Sequence, residues 1–348
     1  MHIQSNINLK PYNTLALPAL AEQFVSVHST EQLCQALVVA KQQGWLVTIL
    51  GGGSNLVLAA DISGLVIQIA IPGVETVGET ESSVQVKVGA GEDWHQFVQL
   101  SLQNGWYGLE NLSLIPGMVG AAPVQNIGAY GVELAEHLVS VDIVDLQSGE
   151  QKSLNRQQCQ FGYRDSIFKN ALKNRAAIVS VTLELLKTSN LKLSYPALQQ
   201  AVEDIPEDQL TPQKVSELVC QIRRSKLPDP ASEPNAGSFF KNPVVSTEKA
   251  QQLQQQYPEL VAYPLPDGNS KLAAGWLIEK AGWKGRRIGD IAIHHRQALV
   301  MVNCGTATGE ELLAVAGQVV ESVKETFGVE LEMEPRVLPE ALRHREYL

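Results

Sequence analysis

Apolar residues recur with two different spacings along the chain. Between Ser29 and Gly44 they recur every three or four positions, which predicts an amphipathic helix over 29–43 with a serine cap and a glycine stop signal. Over 84–90 valines alternate with polar residues, which predicts a strand with one buried face. The same reasoning predicts helices over 93–103, from Pro212 to about Ser225 and from Thr308 to Gly328, and strands over 46–50, 64–70, 138–145 and 176–186.

Three long stretches show neither spacing. The stretch 111–131 is rich in Gly, Pro and Asn, 187–210 is polar, and 226–245 is loop-like. Helices and strands therefore mix without the strict alternation of a parallel βαβ sheet. This pattern predicts an α+β fold.

Composition narrows the class of protein. The 348 residues are 44% hydrophobic and carry a net charge of −10, which predicts two or three globular domains and no nucleic-acid partner. The four cysteines are scattered with no Cys-x-x-Cys pair, which is typical of reduced thiols. No leader segment and no apolar run of ~20 residues is visible. We therefore expect a cytoplasmic protein without membrane insertion.

The first candidate for chemistry is the run Gly51, Gly52, Gly53, Ser54, Asn55, directly after a predicted strand. Successive glycines let backbone N–H groups converge on an anion, and serine and asparagine add donors. Position 56 is leucine, so the spacing is not a Rossmann fingerprint, and no Gly-Lys-Ser/Thr makes it a P-loop. A pyrophosphate cradle and a tight strand exit without ligand both explain the run.

The second candidate is 115–131, a stretch of small residues with little bulk. Small residues permit a flat ligand to approach the backbone, and Gln125 and Asn126 can hydrogen-bond the polar edge of a ring. A buried loop packed against strands is the alternative explanation.

Three further residue groups are weaker candidates by themselves. Arg164 lies among aromatic residues, where an arginine taken alone is more often part of a structural ion pair, here with Asp165 or another acid, than a catalytic group. Ser238 lies in a loop without the Gly-x-Ser-x-Gly elbow of a hydrolase, and a serine there is usually a turn residue. The pair His294–His295 has no further ligand at helical spacing, so no metal site is predicted.

Taken together and in order, these motifs resemble one family. The segments are 51–55, 116–131, 162–168 (GYRDSIF), 235–243 (NAGSFFKNP) and 331–334 (LEME). Their order is similar to that of the UDP-N-acetylenolpyruvoylglucosamine reductases, over nearly the whole chain. The stretch 193–198 (LSYPAL) resembles the subtype with an inserted, tyrosine-bearing segment.

The resemblance implies a fold and a reaction. It implies an FAD-binding domain of the vanillyl-alcohol oxidase type and a C-terminal α+β substrate domain. It also implies non-covalent FAD, NADPH as reductant, and reduction of UDP-N-acetylglucosamine enolpyruvate to UDP-N-acetylmuramate in peptidoglycan synthesis. A monomer is expected, divided into an FAD-binding subdomain (1–70), a second one (71–225) with a substrate-closing insertion at about 187–225, and a substrate-binding domain (226–348) whose end returns to the active site.

The resemblance also implies roles for individual residues. Arg164, Ser238 and Glu334 are expected to be catalytic: the arginine contacts the substrate carboxylate, the serine protonates the α-carbon and the glutamate donates a hydrogen bond. Expected FAD-binding residues are Gly51, Gly52, Gly53, Ser54, Asn55, Pro116, Gly117, Gln125, Asn126 and Gly128. Expected substrate-binding residues are Tyr130, Tyr195, Lys226, Asn242, Tyr263 and Gln297.

Two other functions are weighed against this one. A flavin oxidase acting on an alcohol or sugar would leave Ser238 and Glu334 without a role, and no histidine for covalent flavin attachment lies near the glycine-rich loop. A non-catalytic flavin- or UDP-sugar-binding regulator would be expected to lack Arg164, Ser238 or Glu334, and all three are present.

Overall fold

The computed structural model describes residues 1–342. Its α-helices are α1 (Thr30–Gln43), α2 (Trp94–Gln103), α3 (Pro196–Val202), α4 (Pro212–Lys226), α5 (Thr247–Gln256), α6 (Ala274–Lys280) and α7 (Gly309–Phe327). Its strands are β1 (Gln4–Asn8), β2 (Leu20–Val27), β3 (Val47–Leu50), β4 (Leu56–Leu58), β5 (Ile62–Ile69), β6 (Val74–Glu79), β7 (Ser83–Gly89), β8 (Gly128–Ala129), β9 (Val132–Glu133), β10 (Leu138–Asp145), β11 (Gln151–Asn155), β12 (Ala176–Leu186), β13 (Asn235–Ser238), β14 (Val244–Ser246), β15 (Ala262–Pro264), β16 (Asn269–Leu272), β17 (Arg287–Ile288), β18 (Ile291–Ile293), β19 (Val300–Asn303) and β20 (Arg336–Leu338).

The chain forms two compact units. Unit 1 consists of residues 1–7, 21–52 and 63–225, and unit 2 of 8–20, 53–62 and the chain from 226 onward. Two early segments therefore belong with the C-terminal part. Strand β4 pairs in parallel with β20, and the Asn303 side-chain amide donates to the Leu15 carbonyl at 3.0 Å. The three-part division at 70 and 225 stays a prediction.

Unit 1 is built on two sheets. The first has the strand order β1-β2-β5-β3, and the second, antiparallel sheet has the order β11-β10-β12-β7-β6. The valines of β7 are buried, so this strand has the buried face that their alternation predicts. The first helix begins at Ser29, whose side chain accepts the Gln32 N–H, and ends at Gly44 in the left-handed conformation.

The polar stretch 187–210 contains a helix that its sequence pattern does not predict. Helix α3 begins at Pro196 after Tyr195, which provides no side-chain cap. The helix is stabilised instead by tertiary packing, because Leu198 is fully buried against Val215 and Val219 of α4. Tyr130 packs against the same cluster, so the inserted helices cover the end of the 111–131 stretch.

Unit 2 combines short sheets with the longest helix. The strand orders are β13-β19-β18-β17 and β14-β16-β15, and both sheets are antiparallel. Helix α7 has the predicted capping box, in which Thr308 and Glu311 satisfy each other's backbone N–H groups, and it ends at Gly328. Among the helices of residues 1–342, none is both long enough and apolar enough to cross a membrane.

Candidate active site

The end of β3 lies against the beginning of the 116–131 segment within unit 1. A Cβ atom added to Gly52 would lie 3.4 Å from the Cα of Gly117, so the two backbone segments meet at contact distance with no side chain of residue 52 between them. Gly117 is held in place because its carbonyl accepts the Trp94 N–H at 2.9 Å. Gly51 precedes this contact, and the exposed Pro116 lies beside it. These glycines leave backbone N–H groups unobstructed by side chains, which is what a flat cofactor with a pyrophosphate requires.

Gly53 has a different reason to be glycine. Its φ is +64°, and an added Cβ would lie 2.1 Å from the Tyr12 carbonyl oxygen. The tight strand exit thus accounts for this glycine without a ligand. Gly53, Ser54 and Asn55 belong to unit 2, where the Asn55 carbonyl accepts the Arg336 N–H at 3.0 Å.

The 111–131 stretch is a string of tight turns. A 3₁₀ helix over Val119–Gln125 places Gln125 at its end, and the hairpin β8–β9 follows. The hairpin turn consists of Tyr130 and Gly131, both with positive φ (50° and 83°), which is the type I′ pattern. A tyrosine is rare in that conformation, so its place at the tip indicates a functional constraint.

Arg164 lies in a second two-residue turn. Gly162 and Asp165 exchange both backbone hydrogen bonds, and Arg164 between them has a φ of +53°. Its Nη2 donates to the Gly128 carbonyl at 2.9 Å, which ties this turn to the hairpin. The Asp165 carboxylate accepts from the Asn170 side-chain amide at 3.0 and 3.1 Å. The guanidinium is thereby aimed at the hairpin that carries Tyr130.

Asn126 joins the two turns. Its buried amide nitrogen donates to the Glu133 carboxylate at 2.7 Å and to the Gly162 carbonyl at 3.3 Å. Its amide oxygen accepts the Ala135 N–H at 3.0 Å. Because these contacts use both ends of the amide, the structure favours a positioning role for Asn126 over direct hydrogen bonding to a flavin.

A half-buried arginine of the insertion completes this part of unit 1, and sequence reasoning missed it. Arg223 of α4 interacts electrostatically with Tyr130 and with Arg164, and burial lowers the pKa of its guanidinium. Among the described residues no carboxylate pairs with Arg223. The one feature of the sequence that points to Arg223 is that it and Arg224 lie just before Lys226, which is expected to bind substrate.

Tyr130 also meets the second predicted tyrosine. The rings of Tyr130 and Tyr195 pack edge to face with centroids 5.1 Å apart. Burial raises the pKa of Tyr130, and the nearby Arg223 opposes that shift. Because Tyr195 is 44% exposed, the pair presents one hydroxyl-bearing ring to solvent, while Tyr130 lies near the Arg223 guanidinium. The structure thus brings together Arg164, Tyr130 and Tyr195, all of which the sequence motifs single out.

Unit 2 brings Ser238 and Glu334 close together along the backbone. The Glu334 N–H donates to the carbonyl of Phe239, the residue after the serine, at 2.9 Å. Ser238 ends β13 and follows Gly237, whose φ is +70°. Phe239 and Phe240 are fully buried with rings 5.3 Å apart, so they anchor the loop while both functional side chains stay half-buried.

Lys241 lies beside this loop with its charge already paired. Its Nζ is 2.6 Å from the Glu332 carboxylate, and its backbone N–H donates to the Glu332 carbonyl. Because Lys241 follows Ser238 by three residues, its ammonium group is a candidate to polarise the serine hydroxyl and to add positive charge for an anionic substrate. The ion pair makes it a poor candidate for both tasks.

The remaining predicted substrate residues of unit 2 lie in three places. Asn242 accepts the Ala274 N–H at 3.0 Å, and Gln297 lies against Gly275, so both meet the first turn of α6. Tyr263 is 49% exposed on β15, with the Lys271 ammonium 6.0 Å from its ring centre. Lys226, which begins the C-terminal segment of unit 2, is exposed at the end of α4.

Comparison with known proteins adds a family to this geometry. Residues 229–338 match the family model of the UDP-N-acetylenolpyruvoylglucosamine reductase C-terminal domain, and residues 21–155 match an FAD-binding domain model. The chain is 47% identical over 334 residues to the UDP-N-acetylenolpyruvoylglucosamine reductase of Pseudomonas putida, covering 96% of this chain and 98% of the relative. The corresponding reductase of Chromobacterium violaceum is 48% identical, covering 97% and 99%.

The chain belongs to the UDP-N-acetylenolpyruvoylglucosamine reductase family. A crystal structure of the reductase from Thermus caldophilus is also similar, with a TM-score of 0.68, 25% identity, and coverage of 97% of this chain and 100% of that one. The predicted family, the α+β fold with an FAD-binding domain, the FAD cofactor and the oxidoreductase class are therefore confirmed. The subtype and the individual residue roles stay predictions.

Proposed function

We propose that the protein uses NADPH to reduce UDP-N-acetylglucosamine enolpyruvate to UDP-N-acetylmuramate for peptidoglycan synthesis, with FAD as the hydride carrier. The observation that carries the proposal is the presence in one chain of an FAD-binding domain and the reductase C-terminal domain, at near full-length similarity to the reductases. A monomeric state and a cytoplasmic location remain part of this proposal.

Residues of unit 1 fit FAD on steric grounds. An added Cβ at Gly52 would lie 3.4 Å from the Gly117 Cα, so this glycine keeps the meeting point of the two backbone segments free of side-chain atoms, and Gly51 precedes it. We assign the phosphates to the 51–55 run and the ring system to the 116–128 segment. Bound FAD supplies a carrier that accepts a hydride from NADPH and passes it to the vinyl carbon of the substrate.

Hydride addition to the enolpyruvyl group places negative charge on the carboxylate that is conjugated to it. Preorganised cations stabilise such charge without reorganising during the reaction. Arg164 suits this role because its contact with Gly128 fixes the direction of a group that has five N–H donors. Arg223 adds a second, half-buried positive charge that no described carboxylate balances, so we include it with Arg164 as part of the anion-binding surface.

Protonation of the α-carbon completes the reduction. We assign this step to Ser238 as the proton donor, with Glu334 held beside it by the backbone hydrogen bond to Phe239. A serine is a weak acid, and it can serve only because the carbon that receives the proton is strongly basic. The diphosphate and sugar are assigned to Tyr130, Tyr195, Lys226, Asn242, Tyr263 and Gln297.

The Ser238→Ala variant tests the assignment. We expect NADPH to bleach the flavin absorbance of this variant within about twofold of the wild-type rate, while reoxidation by the enolpyruvyl substrate slows by roughly 10²–10⁴-fold, the usual contribution of a general acid. Ser232→Ala is the matched control, since that exposed hydroxyl contacts only the Asp229 carbonyl. Both steps should be followed by stopped-flow absorbance.

Two results would contradict the proposal at different levels. Wild-type reoxidation rates in Ser238→Ala would remove the serine as the acid and leave the overall reaction intact. A wild-type protein whose NADPH oxidation does not respond to the enolpyruvyl substrate would remove the reaction itself.

A further inference from the structure

The backbone immediately before the proposed flavin segment is held in an uncommon conformation. Leu114 has a φ of +60°, in the left-handed region that residues with a Cβ rarely adopt. Such a residue persists only where surrounding groups hold it in place. Pro116 and Gly117 follow two and three residues later, so the direction of this peptide sets where they lie.

Two side chains hold the Leu114 residue by its two backbone polar groups. Its N–H donates to Nδ1 of His95 at 3.0 Å, and its carbonyl accepts from Nε of Arg223 at 3.2 Å. His95 lies in the first turn of α2, and Arg223 lies in the last turns of α4. The two helices are joined near this point, since Ser216 of α4 accepts from Gln99 of α2 at 2.9 Å.

The hydrogen bond to Leu114 requires a neutral imidazole. Nδ1 is an acceptor only when it carries no proton, so a protonated ring would present a donor to the donating N–H. Burial lowers the pKa of His95, Asp93 opposes this shift, and Arg224 and Arg223 add to it. These are the charged groups that face the ring, from its own helix and from α4, and together they favour the neutral form.

We propose that His95 is a positioning residue for the flavin cradle, and that its neutral Nδ1 holds Leu114 so that Pro116 and Gly117 keep the conformation that receives FAD. The inference rests on the proposed role of the 116–128 segment. It gives the cradle a dependence on pH: because the neutral form makes the contact, FAD affinity is full above the ordinary histidine range and declines as pH falls through the lowered pKa of His95.

The test uses FAD titration of the full-length apo-protein, followed by quenching of flavin fluorescence, between pH 5 and 8. His95→Leu removes the acceptor, and we expect an affinity about five- to tenfold weaker than that of wild type at pH 8, the usual effect of one lost hydrogen bond. The difference should shrink as pH falls, because protonation removes the same contact from wild type. His95→Asn places an amide oxygen near the position of Nδ1, so we expect near wild-type affinity at pH 8 without the decline at low pH. His28→Leu, at an exposed histidine outside this cluster, is the matched control.

The outcomes separate the two levels of the proposal. A wild-type apo-protein that does not bind FAD would overturn the proposed function. If the wild-type apo-protein binds FAD and His95→Leu binds it with the same affinity, the role of His95 is overturned and the proposed function stands. A pH dependence in His95→Asn equal to that of wild type would also overturn it, because the asparagine does not titrate. Thermal unfolding of each apo-variant in parallel identifies any variant whose weaker binding comes from a general loss of folding.

Discussion

Alanine substitutions along the Gly51–Gly53 run separate the two explanations for it, a flavin cradle and a tight backbone turn. At Gly53 the positive φ costs an alanine about 1–2 kcal/mol. The added Cβ would also lie 2.1 Å from the Tyr12 carbonyl and 2.8 Å from the Asn13 Cα, and only a backbone shift can relieve this overlap. Overpacking of this kind adds about 1–3 kcal/mol. We therefore expect Gly53→Ala to lower the free energy of unfolding by about 2–5 kcal/mol.

Gly51 is the matched control for that loss of stability. The nearest atom to its added Cβ is the Ala121 Cβ at 3.9 Å, an ordinary contact. Gly51→Ala should therefore change the free energy of unfolding by less than about 0.5 kcal/mol. A methyl group at position 51 should nevertheless weaken FAD binding, because it holds the cofactor away from the backbone amides.

Thermal unfolding of the apo-variants and FAD titration measure the two effects separately. In units of this size each kcal/mol corresponds to roughly 2–4 °C, so the melting temperature of Gly53→Ala should fall by roughly 4–20 °C. A melting temperature unchanged from wild type would refute the steric argument at Gly53. Wild-type FAD affinity in Gly51→Ala would refute the cradle at that position.

Two further predictions concern side chains of unit 1. Burial raises the pKa of the Asp142 carboxyl, but hydrogen bonds from Lys87 and Ser180 outweigh it and leave the pKa below its ordinary 3.8. Asp142→Asn should therefore lower the melting temperature at pH 7. The difference in melting temperature from wild type should shrink as pH falls through that lowered pKa, and a difference that stays constant to pH 3 would contradict this. Burial raises the pKa of the Cys159 thiol to about 11, so little of it is the reactive thiolate at pH 8. After iodoacetamide treatment at that pH, mass spectrometry should find the exposed Cys304 labelled and Cys159 unlabelled. Equal labelling of the two cysteines would contradict this.

Elements with strong local signals are predictable from the sequence. The strand predicted over 176–186 is β12, and the capping box at Thr308 together with Gly328 marks both ends of α7. In each case the deciding information lies within the element itself. Helix caps and alternating strands are local features, so a single sequence carries them.

Elements that depend on distant partners are not predictable in this way. Strand β13 consists of Asn-Ala-Gly-Ser without alternation and forms because β19 pairs with it. Strand β4 pairs in parallel with β20, which follows it by most of the chain, and no local signal records that pairing. Helix α3 likewise depends on packing against α4, so its polar sequence reads as a loop.

In the candidate site too, residues with a local sequence signal are predictable and residues that depend on distant partners are not. Motif order identifies Arg164, Ser238 and Glu334 as candidates because their residue types and neighbours are a family signature. It does not identify Arg223, whose importance comes from the side chains that the fold places around it. It also does not reveal that Lys241 is paired with Glu332.

The strained backbone of the candidate site depends on supporting contacts that the sequence does not show. Eight non-glycine residues of 1–342 have positive φ, and four of them, Leu114, Asn126, Tyr130 and Arg164, lie in the turns of the candidate site in unit 1. Each such residue costs about 1–3 kcal/mol, so the chain would relax without added support. Side chains provide that support: His95 and Arg223 bond to Leu114, Arg164 bonds to Gly128, and the Asn126 amide joins both turns. Since these bonds connect residues up to about a hundred positions apart, the site is specified by the folded unit as a whole, and replacing a supporting residue should disturb binding even where that residue touches no ligand.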